Sequence, residues 1–482
     1  MDPHAAGRLR RAFEASEFTE EAMQHALGVE QATGPTTLDV SVFDRRIAEP
    51  SRLHTLIRLF VLGLPVAPGD AAVALEPLEP AEAESLGLVR TEADGIHREL
   101  SVSIVQGLWL AHDRFSDDPQ GSRRDHVLGP GPASRTLAAL TVRRPVGLAL
   151  DLGTGCGIQA LLAARHGERV VATDTNERAL YCTELNALVN GVENVEVRHG
   201  SLYEPVRNEA FGLIASNPPF VVSPETRFEY RDSGMQGDAI SAAVVGGAGE
   251  RLAPGGFATV LCNWILRDGE PWPDPPTRWV EDSGCDAWIV HSNVMDPVTY
   301  AATWLTRSPE TDFALQLDRW LDYHRSLGAA AIVVGSVVLR RREGGTPWIR
   351  ADHVESSSDT AGAHIVRLFD NQDLLQRTTD DDLMATRFAL PEDTRADQRL
   401  APGPVGWESE ETLLKITGGL GFTGRTDPTV LQLLGGCDGT RTLGDLVREM
   451  AGVLEVEVDA LAPEVAGVVR QMLSLGFLEP VG

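Results

Sequence analysis

The segment Leu148-Ala149-Leu150-Asp151-Leu152-Gly153-Thr154-Gly155-Cys156-Gly157-Ile158 constrains the fold of this chain more than any other. An apolar run ends in an acid, glycines turn the backbone, and a second apolar run begins. Glycine lets the main chain approach a ligand closely. The N-terminus of a following helix then offers unpaired N–H groups to an anion. The spacing is G-x-G-x-G, one residue short of the dinucleotide fingerprint G-x-G-x-x-G. The surrounding pattern alternates. Val146–Leu150, Val170–Thr173, Val195–Val197, Leu213–Ser216 and Phe257–Leu261 read as strands. Ile158–Arg165, Glu177–Val189 and Ala239–Leu252 read as helices between them. Such alternation predicts a parallel sheet with helices on both faces. Trp288–Val290 and Ile332–Leu339 supply the last strands.

Two further features sit at predicted strand ends, where open α/β sheets bind ligands. The run Val170-Val171-Ala172-Thr173-Asp174 closes on an acid suited to a ribose diol, or to capping the next helix after Asn176. Downstream, Gly200-Ser201-Leu202 follows the third strand, where a side chain reaches a nucleobase edge. The fourth strand runs into Asn217-Pro218-Pro219-Phe220. Two prolines remove N–H donors and leave carbonyls open as acceptors. Asn217 adds a side-chain carbonyl, and Phe220 a flat face. The set suits a planar –NH2 group, whose hydrogens go to Asn217 Oδ1 and the Pro218 carbonyl while its π-system stacks on Phe220.

Together, Asp151–Gly157, Asp174 and Asn217–Phe220 resemble the motifs of the class I S-adenosylmethionine-dependent methyltransferases. Within that class the chain is similar to the Asn-Pro-Pro-Tyr/Phe amino-methylating group. Its members include release-factor glutamine methyltransferases, small-subunit ribosomal RNA guanine-N2 methyltransferases and N6-adenine methyltransferases. The resemblance covers about residues 125–342 and implies a Rossmann-like, seven-stranded sheet with S-adenosylmethionine as cofactor. It also implies that Gly153, Thr154, Gly155 and Gly157 shape the loop under the cofactor's methionine part. Asp151 would lie near its amino group, Asp174 at its ribose, and Ser201 and Leu202 beside its adenine. The family commonly has Asp where this chain has Ser201. Asn217, Pro218 and Phe220 would hold the target nitrogen. No individual residue carries over from Asp125–Ser134, which sits where the family approaches cofactor and substrate.

The implied chemistry is direct transfer from sulfonium to nitrogen, and no histidine is required as a base. His126, His166 and His199 read as loop or surface residues. The loop Val221–Asp238, with Glu225, Phe228, Tyr230, Arg231 and Asp232, is placed to act as a substrate lid or as a solvated connection. Tyr230 and Arg231 are its candidate substrate contacts.

Whose nitrogen is methylated depends on charge. The chain has 42 basic and 70 acidic residues, a net −28, and Lys415 is its single lysine. Such a chain repels polyanions. A protein glutamine on a partner with a basic surface is therefore favoured over a guanine N2 or adenine N6. A small-molecule acceptor and a non-catalytic cofactor-binding regulator remain as alternatives. Arg8-Leu9-Arg10-Arg11, Arg143-Arg144 and Arg340-Arg341-Arg342 could form a local basic track, or simply solvated surface. Five dispersed cysteines without a C-x-x-C pair fit a reducing cytoplasm and give no metal site. No signal pattern or membrane-spanning run is present.

Around the central domain, expected over 106–345, the chain reads as modular. Residues 1–105 predict helices and a hairpin at Asp94-Gly95, a winged-helix-like arrangement. Residues 346–425, rich in Asp, Gly and Pro, predict a linker or irregular β segment. Residues 426–482 predict a second winged-helix-like module, with Pro428 and Pro463 in first helical turns and a strand over Leu475–Glu479.

Overall fold

The computed structural model describes residues 1–29, 37–113, 123–226, 229–232, 234–305, 312–354, 357–403 and 406–481. They form two compact units. One contains Met1–Ala138 and Arg144–Asp352, the other Ala139–Arg143 and His353–Gly482.

The first unit opens with helices, including Pro3–Ala15, followed by the hairpin β1 (Val89–Glu92) and β2 (Gly95–Arg98). Glu92 pairs with Gly95, so the turn residues are Ala93 and Asp94, one position earlier than expected. A second hairpin joins β3 (Leu100–Val105) to β4 (Leu108–Asp113). The expected boundary at residue 105 falls inside a shared core. Phe13, Phe60 and Leu110 belong to one buried cluster with Leu161, Leu185 and Leu213. Two asparagines one turn apart make this join specific. Asn186 accepts from Ala111 N–H at 2.7 Å and donates to Ala111 C=O at 3.0 Å. Asn190 does the same for Trp109, at 3.0 and 2.8 Å. Each amide side chain stands in for a missing strand neighbour along β4.

The sheet contains β5 (Val146–Leu152), β6 (Gly167–Asp174), β7 (Val195–His199), β8 (Phe211–Ser216), β9 (Leu252–Leu266), β10 (Cys285–Met295), β11 (Ala331–Arg341) and β12 (Ile349–His353). Their spatial order is β12-β10-β11-β9-β8-β5-β6-β7. The parallel half is β7-β6-β5-β8-β9, and β11 pairs antiparallel with both β9 and β10. The α/β expectation holds, but there are eight strands where seven were expected. Asp286, fully buried on β10, recruits the eighth. It accepts from Arg340 at 2.6 Å, Arg342 at 2.7 Å and Trp348 N–H at 3.2 Å, and Trp348 C=O accepts Ala287 N–H at 2.8 Å. Arg341 donates to Ser283 C=O at 2.6 Å. The Arg340–Arg342 run is thereby turned inward and forms no basic track.

The second unit is more ordered than a linker. Ala361–Arg377 is a helix of 17 residues, because Ile365, Leu368 and Phe369 at helical spacing find a core. The strands β13 (Arg387–Ala389), β14 (Thr394–Gly403), β15 (Gly406–Ile416), β16 (Thr423–Thr426), β17 (Asp438–Thr442) and β18 (Glu479–Val481) form the sheets β17-β13-β18 and β14-β15-β16. Pro428 stands in the first turn of its helix as expected. Pro463, however, lies inside the helix Val458–Ser474, which begins earlier. The last strand begins only at Glu479, because Leu475–Leu478 turn back, with Phe477 and Leu478 buried. Among the described residues, no helix is long and apolar enough to cross a membrane.

Candidate active site

Strand register brings the sequence motifs to one edge. Leu152 pairs with Thr173 on one side and Ser216 on the other, and Asp174 pairs with His199. The Gly153 turn, Asp174, Gly200 and Asn217 therefore follow the carboxyl ends of four adjacent strands. With strands about 4.8 Å apart, Asp174 and Asn217 lie about 10 Å apart along the sheet, with the glycine turn between them.

The turn is tied to the end of β6. Gly153 and Thr154 N–H both donate to Thr173 C=O at 2.9 Å, and Gly155 N–H donates to Asp174 Oδ2 at 3.0 Å. Asn176 N–H donates to Asp174 Oδ1 at 3.0 Å. Gly153, Gly155 and Gly157 have φ of +76°, +56° and +83°. A Cβ at Gly153 or Gly155 would meet no atom within 4 Å, whereas one at Gly157 would lie 2.9 Å from Thr183 Cγ2. The first two glycines thus border open space, and the third is packed on the helix Glu177–Asn190. This cradle, with the half-buried Asp174 at its rim, fits the methionine and ribose parts of the implied cofactor. Burial pushes the Asp174 carboxyl above its ordinary range, opposed by the N–H groups of Gly155, Asn176 and Thr175.

Asp151 and Thr154 face inward and bond each other. Asp151 is 2% exposed. Its Oδ2 accepts from Thr154 Oγ1 at 2.7 Å and Ala160 N–H at 2.9 Å. Desolvation pushes its pKa up to about 7. Both residues shape the turn, as expected of Thr154. Ser201 is exposed beside Asp174, since Gly200 N–H donates to Asp174 C=O at 3.0 Å. Leu202, at φ +47°, is half-buried against the sheet core.

At the end of β8, Ser216 Oγ donates to Leu152 C=O at 2.9 Å and locks the two strand ends together. Asn217 is half-buried, and no hydrogen bond within the described residues engages its side-chain amide. The Pro218 carbonyl is not fully open as expected. It accepts Phe220 N–H at 2.7 Å, leaving one lone pair. Phe220 packs against the buried cluster that contains Val221, Val222, Tyr300 and Trp320.

The loop beyond is anchored at Arg231, which pairs with Asp232 at 2.8 Å and lies over the Trp320 ring at 5.9 Å. Asp232 bridges to Phe220. Tyr230, 37% exposed, has its ring 5.9 Å from that of His126. Glu229 N–H donates to Arg124 C=O at 3.3 Å. Phe228 lies outside the described residues. His126 lies on a loop, as expected, but its side chain is buried, and burial lowers its pKa. Nearby, Asp113 binds Arg178 and the Val127 N–H. Neither of these two acceptor-side contacts has a local sequence signal, because their partners lie far along the chain.

Residues 131–267 match the family model described as "Methyltransferase small domain". This part of the chain is thus similar to methyltransferase domains, in keeping with the class I resemblance of its motifs. More particularly, its curated relatives are glutamine methyltransferases. A release factor glutamine methyltransferase from Xylella fastidiosa is 34% identical over 126 residues, covering 24% of this chain and 46% of that protein. A ribosomal protein uL3 glutamine methyltransferase from Bradyrhizobium diazoefficiens is 31% identical over 186 residues, covering 35% and 57%. The chain spans about half the length of the curated relatives it matches. A solved methyltransferase from Pyrococcus furiosus is 18% identical, covering 44% of this chain and 83% of that one at a TM-score of 0.27. Residues 15–99 and 367–480 match models described as domains of unknown function, DUF7059 and DUF7782.

Proposed function

We propose that this protein is an S-adenosylmethionine-dependent N-methyltransferase acting on a glutamine side-chain amide of a protein substrate. One observation carries the reading. The Asn217 amide stands unengaged within the described residues, at the same sheet edge as a glycine cradle bordering open space. The glutamine methyltransferases among its relatives support an amide over an aromatic amine. So does the net charge of −28, which favours a partner with a basic surface such as a release factor or ribosomal protein. Five cysteines, all buried and unpaired, support a cytoplasmic setting.

When bound, the cofactor supplies an electrophilic methyl group. The chain supplies position and polarity. Gly153 and Gly155 give the room, and Asp174 accepts hydroxyl hydrogens at the rim. Asn217 Oδ1 accepts one N–H of the target amide, and the remaining lone pair of the Pro218 carbonyl accepts the other. Together these bonds orient the amide and push electron density onto its nitrogen. Phe220 lines the corner with an apolar face. Orientation of this kind needs no side chain to remove a proton before transfer, and the extra proton on the methylated nitrogen leaves afterwards to solvent.

The test uses radiolabelled S-adenosylmethionine, the purified protein and release factor from cells lacking its methyltransferase. Protease-sensitive label on a glutamine, absent with Asn217→Ala, supports the reading. Label in a nuclease-sensitive fraction of an undermethylated extract would replace it with a base methyltransferase.

A further inference from the structure

The acceptor corner is held from outside its own segment. Pro218 and Pro219 carry no N–H, and Phe220 N–H is used locally by Pro218. The ladder of β8 has ended at Ser216. Beyond the bridge from Phe220 to Asp232, anchoring falls to Val222, which is fully buried. Its N–H donates to Tyr300 Oη at 3.0 Å. Its C=O lies 2.9 Å from His324 Nε2, so that nitrogen carries the hydrogen. Tyr300 Oη also accepts from Asn263 Nδ2 at 2.8 Å, which fixes the phenol against β9.

Tyr300 lies on the helix Pro297–Trp304 and His324 on the helix Phe313–Ser326. Both helices belong to the crossover between β10 and β11. Their rings meet at 5.8 Å, 65° apart. Trp320, from the same crossover, lies 5.9 Å from the His324 ring and also underlies Arg231. The crossover thus grips the acceptor segment at Val222 and the following loop at Arg231.

We propose that Tyr300 and His324 are positioning residues for methyl transfer, acting through the Val222 peptide to set the Asn217–Phe220 turn, with Asn263 orienting the Tyr300 hydroxyl. This rests on the reading that Asn217–Phe220 holds the target amide. The crossover is then part of the enzyme's machinery rather than a cover for the sheet. A small drift of Val222 would swing Asn217 Oδ1 and the Pro218 carbonyl out of register with a planar amide, a misplacement that costs rate more than binding.

The test compares Tyr300→Phe, His324→Leu and His324→Gln with Ile289→Ala, a core change on β10 outside the site. Tyr300→Phe keeps the ring and removes the acceptor. His324→Gln keeps a donor near the Nε2 position, and His324→Leu does not. Amide hydrogen exchange at Val222 should rise about tenfold or more in Tyr300→Phe and His324→Leu, and stay near wild type in His324→Gln. With unmethylated release factor, kcat should fall about tenfold or more in the first two and recover in His324→Gln. The KM for release factor and the Kd for S-adenosylmethionine should stay within about threefold. Unchanged Val222 exchange in Tyr300→Phe would overturn the proposal. So would an equal kcat loss in Ile289→Ala at matched thermal stability. If wild-type protein methylates no release factor, the glutamine reading fails, and the exchange measurement alone decides the clamp.

Discussion

Between Asp151 and Ala160 the side-chain polar groups answer one another. Thr154 bonds Asp151, Ala160 N–H bonds Asp151, and Gly155 N–H bonds the end of the next strand. At the end of β8 the opposite holds. The Asn217 amide is unengaged within the described residues, and the segment is held at Val222 by side chains 78 and 102 residues away. The first wall is a preformed container whose groups are satisfied without a ligand. The second is, on the function proposed above, a set of acceptors for a substrate's amide. A cradle built this way binds without distinguishing acceptors. On the proposed function, the corner decides which nitrogen reacts.

The largest expected effect would break that division of labour. Asn217→Ala should lower the rate of transfer by roughly 10²–10³-fold, the scale of losing one oriented hydrogen-bonding group in a transition state. Cofactor affinity should stay within about twofold of wild type, read by calorimetry alongside single-turnover rates. If affinity and rate collapse together, the two walls are not separable.

Next come the glycines, which separate shape from stability inside the cradle. Gly157→Ala adds a Cβ 2.9 Å from Thr183 Cγ2 at φ +83°, and should cost about 2 kcal/mol of stability by denaturant unfolding. Gly155→Ala meets nothing within the protein and should cost about half that, from its φ of +56° alone. It should still weaken S-adenosylmethionine binding about tenfold, because the added methyl group enters the open cradle.

A pH series sharpens the point about Asp151. Its folded pKa of about 7 lies above the ordinary carboxylate value, so between about pH 4 and pH 7 the folded state holds a proton that the unfolded chain has lost. Stability should therefore fall as pH rises through that window, by up to about 1.4 kcal/mol per pH unit. Asp151→Asn keeps an oxygen for Thr154 and Ala160 and removes the titration. Urea midpoints for that variant should be flatter across the window than those of wild type. An unchanged slope would place the titrating group elsewhere.

The smallest effect is expected at the outer edge of the acceptor side. Arg124 pairs with Glu229 at 3.5 Å with its own side chain 75% exposed. Arg124→Ala should change stability by less than about 0.5 kcal/mol and transfer by less than about twofold. A larger loss of transfer would make that ion pair part of substrate capture.

Much of this was legible before any coordinates. The β/α alternation, the glycine turn, the acid ending β6 and the Asn-Pro-Pro-Phe segment are contiguous patterns. Their local chemistry (glycine at positive φ, proline without a donor, apolar runs of strand length) acts over a few residues. What was not legible shares one cause. Asp151 stands at a strand end, and only the first turn of the helix Ile158–Ala163, closing over it, buries its side chain. Residues 346–425 look like a linker until they find partners far along the chain, as Asn371 does at the Leu473 and Leu478 carbonyls.

The sequence by itself determined which strands end in which chemistry, because turns and caps are written in neighbouring residues. Only the tertiary structure decided where the acceptor corner is held, what buries the arginines at 340–342 and how β4 finds its partners. Each of those depends on two groups that meet across many residues of chain. Such a meeting leaves no local pattern, since the pairing is selected by the packed sheet and not by spacing along the backbone.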